Sequence, residues 1–185
     1  MKNKLSIIVM CLVFSSPAYA TNFGIMFGKA SVDEDGFDDD FGFRASLGVN
    51  VAENVSIEIS YVDFGEFEAD AQALNLISEL TNISVYSAGV EVSGFELAAV
   101  GYLPLSEKLS LLGRFGIFLW DADINVMTSP FDSISGSDDG VDPLLGVGLN
   151  YEFAEGLILQ AEFNRYEVLD ADINVARIGF NIRFK

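Results

Sequence analysis

From Phe41 to Val51 the odd positions read Phe41, Phe43, Ala45, Leu47, Val49 and Val51, and the even positions Gly42, Arg44, Ser46, Gly48 and Asn50. Successive side chains of a β-strand leave opposite faces, so an alternation this long is a strand with one apolar and one polar face. The pattern returns at Val55 to Tyr61, Phe95 to Leu103, Leu109 to Leu119, Leu145 to Phe153, Leu157 to Phe163 and Arg177 to Phe184. With a glycine-rich first strand, Phe23 to Val32, the chain is predicted to hold eight strands.

The connections alternate in length. Ala52–Asn54, Pro104–Lys108 and Ala154–Gly156 are short turns, whereas 33–40, 65–82, 121–142 and 166–174 are longer and acidic. Eight antiparallel strands joined in this way carry all their long connections at one end. That is the pattern of an all-β, eight-stranded antiparallel up-and-down transmembrane β-barrel, with short periplasmic turns and long external loops. Within the second long connection, Ala69 to Leu80 has helical composition, with Leu74, Ile77 and Leu80 on one stripe. A short helix over the barrel mouth or on the bilayer surface and an irregular loop are both compatible with it.

Alternation alone does not say which face is inside. A secreted lipocalin-like barrel also alternates, with its apolar face inward and a surface rich in Lys and Glu. Here the polar face is mostly Gly, Ser and Asn with single charges, which suits a narrow lumen, and the unbroken Phe, Ile, Leu and Val face suits lipid. Tyr61, Phe64, Tyr151, Phe153, Phe163 and Phe184, near the ends of the apolar faces, are predicted to form the interfacial girdle. Trp120 falls on the lumen parity near the external end and is expected to pack at the mouth.

The first residues fit this destination. Lys2 and Lys4, an apolar run from Leu5 to Phe14, and Pro17 before Ala18-Tyr19-Ala20 have the layout of a secretory signal peptide cut after Ala20. Residues 1–20 are therefore expected to be removed, leaving 21–185 as one outer-membrane barrel domain delivered by Sec-type export to a Gram-negative cell surface. The one cysteine leaves with the leader, so neither a disulfide nor thiol chemistry is expected.

Removing two lysines and no acid takes the formal charge from −18 to −20, which excludes nucleic acid as a partner. The four external segments, counted as Asp33–Asp40, Asp63–Glu79, Asp121–Asp142 and Glu167–Asp172, hold twenty acids and no base. The remaining eight acids face eight bases, so the body is neutral and the excess charge lies on one rim. That rim is represented by Asp33, Glu34, Asp35, Asp38, Asp39, Asp40, Asp138, Asp139 and Asp142. On the lumen parity, Arg44, Arg114, Arg177 and Arg183 stand against Glu58, Glu96, Glu152 and Glu162. A buried charge left unpaired costs several kcal/mol, so these eight are predicted to form ion pairs or water-bridged networks inside the barrel.

The stretches FGFRASLGVNVAENVSIEISYVDFG, GYLPLSEKLSLLGRFGIFLWDADI and DPLLGVGLNYEFAEGLILQAEFNRYEVL resemble successive hairpins of the transmembrane domain of OmpA-like outer-membrane proteins. The resemblance covers most of the chain after the leader. Arg177–Phe184, RIGFNIRF, is similar to the terminal strand read by the outer-membrane assembly machinery, with Gly179, Ile182 and Phe184 as its marks, and departs from it only in the extra Lys185. By the same resemblance, Glu58 and Arg114 match members of a lumen acid-base cluster discussed as a gate. The positions of a further lysine, glutamate and arginine of that cluster fall at Val100, Asn150 and Gln160, which argues against a gate of that type. The periplasmic peptidoglycan-binding domain of OmpA has no counterpart in the 185 residues, so the resemblance implies a stand-alone barrel.

Little catalytic chemistry can be assembled. The chain has no histidine, which rules out a Ser-His-Asp triad, a Cys-His pair and His-ligated zinc. The glycines on one strand face relieve crowding in a small lumen and do not form a nucleotide loop. DEDGFDDDFGFR fails as a calcium loop, with Gly at its fourth position and Arg44 where the twelfth-position Glu is needed.

The expected function is that of a structural and surface-interaction barrel with acidic external loops, non-catalytic and without a cofactor. A narrow small-solute or ion channel through the charged lumen is the alternative, and an envelope enzyme a distant third. Expected partners are outer-membrane lipid and lipopolysaccharide, the barrel assembly machinery and loosely bound divalent cations, with the protein itself a monomer.

Overall fold

Each run of alternating residues becomes a strand, and the strands close on themselves. In a computed structural model, which describes residues 21–33, 36–81, 84–129, 132–169 and 171–184, the order is β1 (Thr21–Val32), β2 (Asp40–Ala52), β3 (Val55–Glu68), α1 (Ala71–Thr81), β4 (Ser87–Pro104), β5 (Leu109–Ser129), β6 (Asp132–Ala154), β7 (Leu157–Val168) and β8 (Ala171–Arg183). Every strand pairs antiparallel with its neighbours, and β1 pairs with β8 from Asn22↔Arg183 to Val32↔Ile173, closing an up-and-down barrel with no crossover. The expected leader, Glu34, Asp35 and Lys185 lie outside the described residues.

Side-chain direction follows the predicted parity. Arg44, Ser46, Glu58, Ser60, Glu96 and Glu162 are buried, and Phe41, Leu47, Phe95, Leu97, Phe115, Val147 and Phe163 between them are exposed on the outer wall. An apolar outer face is what a hydrocarbon surround requires, because closing the sheet satisfies every ladder hydrogen bond within the wall.

The external end differs from its prediction in two places. Segment 121–142 is not a loop: β5 and β6 continue through it as a long ribbon, in register from Leu109↔Tyr151 to Met127↔Ser133. Segment 166–174 is mostly strand, with β7 reaching Val168 and β8 starting at Ala171, and Leu169 has φ 54°. In both, strand pairing continues past the apolar band, so composition alone misplaced the boundary.

The first loop is docked and not a free tip. Phe37 bridges Ala69, Asp38 N–H donates to the Glu68 carbonyl at 2.8 Å, and Asp70 N–H donates to the Gly36 carbonyl at 2.8 Å. Asp70 then caps α1, its Oδ1 accepting from the N–H groups of Gln72 and Ala73, both at 2.8 Å. The helix thus forms where helix and loop were both open. Of its expected apolar stripe Leu74 is half-buried, whereas Ile77 and Leu80 fall outside the described side chains.

Gly65 sets the inside of the outer half. The pairing of β3 with β4 shifts between Asp63 and Glu66, and Gly65 takes φ 80° in that bulge. Asp63 Oδ1 accepts the Gly65 N–H at 2.9 Å, and Asp40 Oδ2 accepts the Glu66 N–H at 2.7 Å. The extra residue reverses the parity, so Phe64 and Phe67, three apart, both point inward and are buried. A Cβ at Gly65 would collide with the Asp40 carboxylate. Gly65→Ala is expected to cost about 1–3 kcal/mol, read as a lowered urea midpoint, with the outer half losing amide protection first.

Candidate functional site

Six strands send one charge each to the middle of the lumen: Arg44 from β2, Glu58 from β3, Glu96 from β4, Arg114 from β5, Glu162 from β7 and Arg177 from β8, all buried. Arg114 is the hub. Its Nη1 lies 2.6 Å from Glu96 Oε1, and its Nη2 lies 2.7 Å from Glu58 Oε2 and 3.3 Å from Glu162 Oε1. Arg44 reaches across the lumen to Glu162 Oε2 at 2.7 Å, a contact without hydrogen-bond alignment, and donates from Nη2 to Met26 Sδ at 3.0 Å. Three guanidinium groups against three carboxylates make the cluster neutral, the condition for keeping it buried.

The remaining carboxylate lone pairs are covered by neutral donors. Tyr102 donates to Glu58 Oε1 at 3.1 Å, Ser60 to Glu96 Oε1 at 3.3 Å, and Asn164 to Glu162 Oε2 at 3.1 Å, while Gln160 donates to Glu162 Oε1. Gln160 and Asn150 lie below the cluster as neutral buried groups, where the resemblance expected charged gate residues.

Two of the eight predicted lumen charges stand apart. Glu152 and Arg183 share the inward parity but sit at the periplasmic end, partly exposed, where they pair with each other at 3.6 Å. Arg177 belongs to the cluster but reaches Glu96 indirectly: its Nη1 donates to the Tyr166 hydroxyl at 2.8 Å, which donates to Glu96 Oε2 at 3.0 Å.

Above the charges lies a layer that composition did not announce. Phe64, Phe118 and Tyr166 meet edge to face with ring centroids 4.9–5.4 Å apart, and Arg177 Cζ sits 5.4 Å from the Phe64 and Tyr166 centroids. Val62, Phe67, Val92, Trp120, Ala122, Leu144, Val168, Ile173 and Val175 extend it toward the outer rim. The outer half of the lumen is therefore an apolar core, not the polar channel face that parity suggested. Phe64, predicted for the interfacial girdle, lies at its centre, placed there by its lumen parity. Tyr61, Tyr151, Phe153, Phe163 and Phe184 are exposed on the outer wall as predicted. Phe118 follows Arg114 and Tyr166 follows Glu162 at even spacing, and carrying the parity four residues further would have found both.

The periplasmic half is open by comparison. A polar vestibule of about 230 Å³ enters between the short turns and reaches Asn22, Tyr102, Asn150 and Ile158. Asn22 Oδ1 and Asn150 Oδ1, in its lining, and Asn181 Oδ1 are buried without a hydrogen-bond partner among the described residues.

At the rim, several acids have structural partners. Asp39 pairs with Lys29, and Asp33 and Asp172 pair with Arg165, whose hydrogen bond holds the Asp172 carboxyl below its usual range. Two bases thus rise from the strands into a rim predicted to have none. Asp40 fixes the bulge, Asp138 caps the Asp139 N–H at 3.0 Å, and Asp142 Oδ2 accepts from Trp120 Nε1 at 2.6 Å, seating that ring at the mouth. Asp38 is exposed, and among the described residues no acidic group has the arrangement of a metal site. Gly179 packs on the backbone of β1, and Ile182 and Phe184 face outward.

Solved barrels share this frame at low sequence identity. Neisserial surface protein A matches with a TM-score of 0.62 at 12% identity, over 90% of this chain and 97% of its own. Ail, the attachment invasion locus protein of Yersinia pestis, matches with 0.58 at 16% identity over 90% and 99%. The N-terminal β-barrel domain of Pseudomonas aeruginosa OprF gives 0.54 at 16% identity over 89% and 97%. No curated protein matches the sequence. The family described as outer membrane protein beta-barrel domain matches residues 6–184, spanning all eight strands, and the chain belongs to that family.

Proposed function

We propose that this protein is an outer-membrane anchor for surface interaction, whose lumen is a structural core and not a conduit. The observation that carries the reading is the Phe64–Phe118–Tyr166 layer, which among the described residues stacks apolar rings between the neutral ion cluster and the outer rim. Eight strands enclose an interior about filled by side chains, which favours the same reading. The parts free to meet a partner are then the external ones: the docked first loop, α1 and the β5–β6 ribbon. The reading is non-catalytic and treats the protein as a monomer exported by the Sec route, assembled through its terminal strand, and surrounded by lipopolysaccharide. Its rim acids share divalent cations loosely with the lipid headgroups.

A narrow channel is the second reading, favoured by the vestibule, which reaches Tyr102 beneath Glu58, and by the unpartnered asparagine oxygens of the periplasmic half. Planar-bilayer recording separates the two. The purified barrel is expected to be silent, and reproducible openings reduced by Glu58→Gln would overturn the filled-lumen reading.

A further inference from the structure

We propose that the open edge of β6, from Ser133 to Val141, is a docking site that takes up an extended basic polypeptide segment as an added strand. This rests on the surface-interaction reading and names its site. On one side β6 pairs with β5 along its whole length, but on the other it pairs with β7 only from Leu144↔Tyr166 inward. Among the described residues no strand pairs with that second side of Asp132–Pro143, and β7 turns to pair with β8 at Val168↔Ala171. Pro143 marks the parting point. It has no N–H; the Met127 carbonyl opposite Ser133 is taken by the Tyr86 N–H and the Glu152 N–H donates to the Lys108 carbonyl, so even positions of β6 bond toward β5 and the odd positions Ser133, Ser135, Ser137, Asp139 and Val141 turn their N–H and C=O groups away from it. The Asp139 N–H is accordingly met only by the Asp138 carboxylate.

An unpaired row of donors and acceptors is a template for another chain. The ribbon also dictates what that chain must look like. Its outer face carries Glu91, Asp121, Asp123 and Asp139, and its inner face carries Ala88, Val90, Ile124, Val126 and Ile134, aligned in the rows Ala88↔Val126↔Ile134 and Val90↔Ile124, with Asp138 further along the inner side of β6 opposite Ala122. From Asp121 to Asp142 there is no Lys or Arg. An added strand that fits therefore sets an apolar residue beside the exposed Ile134 on the inner side and Lys or Arg on the outer side, beside Asp139 and the Asp121 and Asp123 carboxylates behind it. A second copy of this chain fits poorly, because it brings the same acids to the same edge.

The test uses the full barrel in lipid nanodiscs and a short synthetic peptide alternating valine with lysine. Trp120, the chain's one tryptophan, is bonded to Asp142 beneath the edge and serves as the fluorescence reporter. The peptide is expected to shift that emission and to protect the Ser133–Val141 amides from exchange. Ser135→Pro and Ser137→Pro each remove one edge donor while leaving the β5 ladder whole, and should weaken binding by on the order of tenfold with heat-dependent gel mobility retained. A peptide with glutamate in place of lysine should not bind. Equal affinity for the proline variants, protection elsewhere, or edge protection without peptide in a particle of doubled protein mass would each overturn the proposal. Ion conductance by the same sample would overturn the surface-interaction reading instead, leaving the exchange result to be judged separately.

Discussion

Arg114→Ala should destabilise the barrel by about 3–5 kcal/mol, the usual consequence of leaving buried charges without their partner. One guanidinium contacts Glu58, Glu96 and Glu162 within 3.3 Å, so its loss leaves three carboxylates sharing Arg44 and the Tyr166-linked Arg177. Urea unfolding of the reconstituted barrel, followed by the loss of heat-dependent gel mobility, reads the effect. Adding Glu58→Gln to the Arg114→Ala variant restores charge balance and should return part of the loss. Arg114→Lys keeps the charge but cannot span two carboxylates at once, and should fall between. A cost below about 1 kcal/mol for Arg114→Ala would mean that lumen water solvates these groups well enough to replace the pairing.

Removing the aromatic layer should have two measurable results. Phe118→Ala takes away a ring packed edge to face on both Phe64 and Tyr166, and should cost about 3–5 kcal/mol through the cavity it leaves. The double substitution Phe64→Ala with Phe118→Ala also removes the wall between the outer rim and the ion cluster. In planar bilayers that double variant is expected to conduct where the parent is silent. A folded double variant that stays silent would assign the seal to the ion cluster instead.

The barrel was legible because its physics is local to each strand: the alternation at Phe41–Val51 specifies which residues meet lipid, and short turns alternating with long connections specify the topology. The six central charges were legible for the same reason, since an arginine or glutamate on the inward parity has only the lumen to occupy. The outer half was not. Gly65 inserts one residue into β3, and a parity count that runs past it assigns Phe64 and Phe67 to opposite faces although both point inward. The ribbon at 121–142 was hidden by composition, because Asp, Ser and Gly are poor strand formers and pair here only as an extension of strands already in register. Glu152 and Arg183 show the limit of parity itself: it gives the face of a residue but not its depth along the barrel.

The six charges at the centre come from β2, β3, β4, β5, β7 and β8, and the Arg44–Glu162 contact joins strands that are far apart until the sheet has curled. A growing sheet whose β1–β8 seam is still open can join Arg114 to Glu96 and Glu58 on neighbouring strands but holds Arg44 and Glu162 apart. Completing the charge balance through Arg44 and Glu162 thus coincides with closure of the seam, so folding intermediates of this protein should be open sheets lying at the membrane surface and not half-inserted barrels.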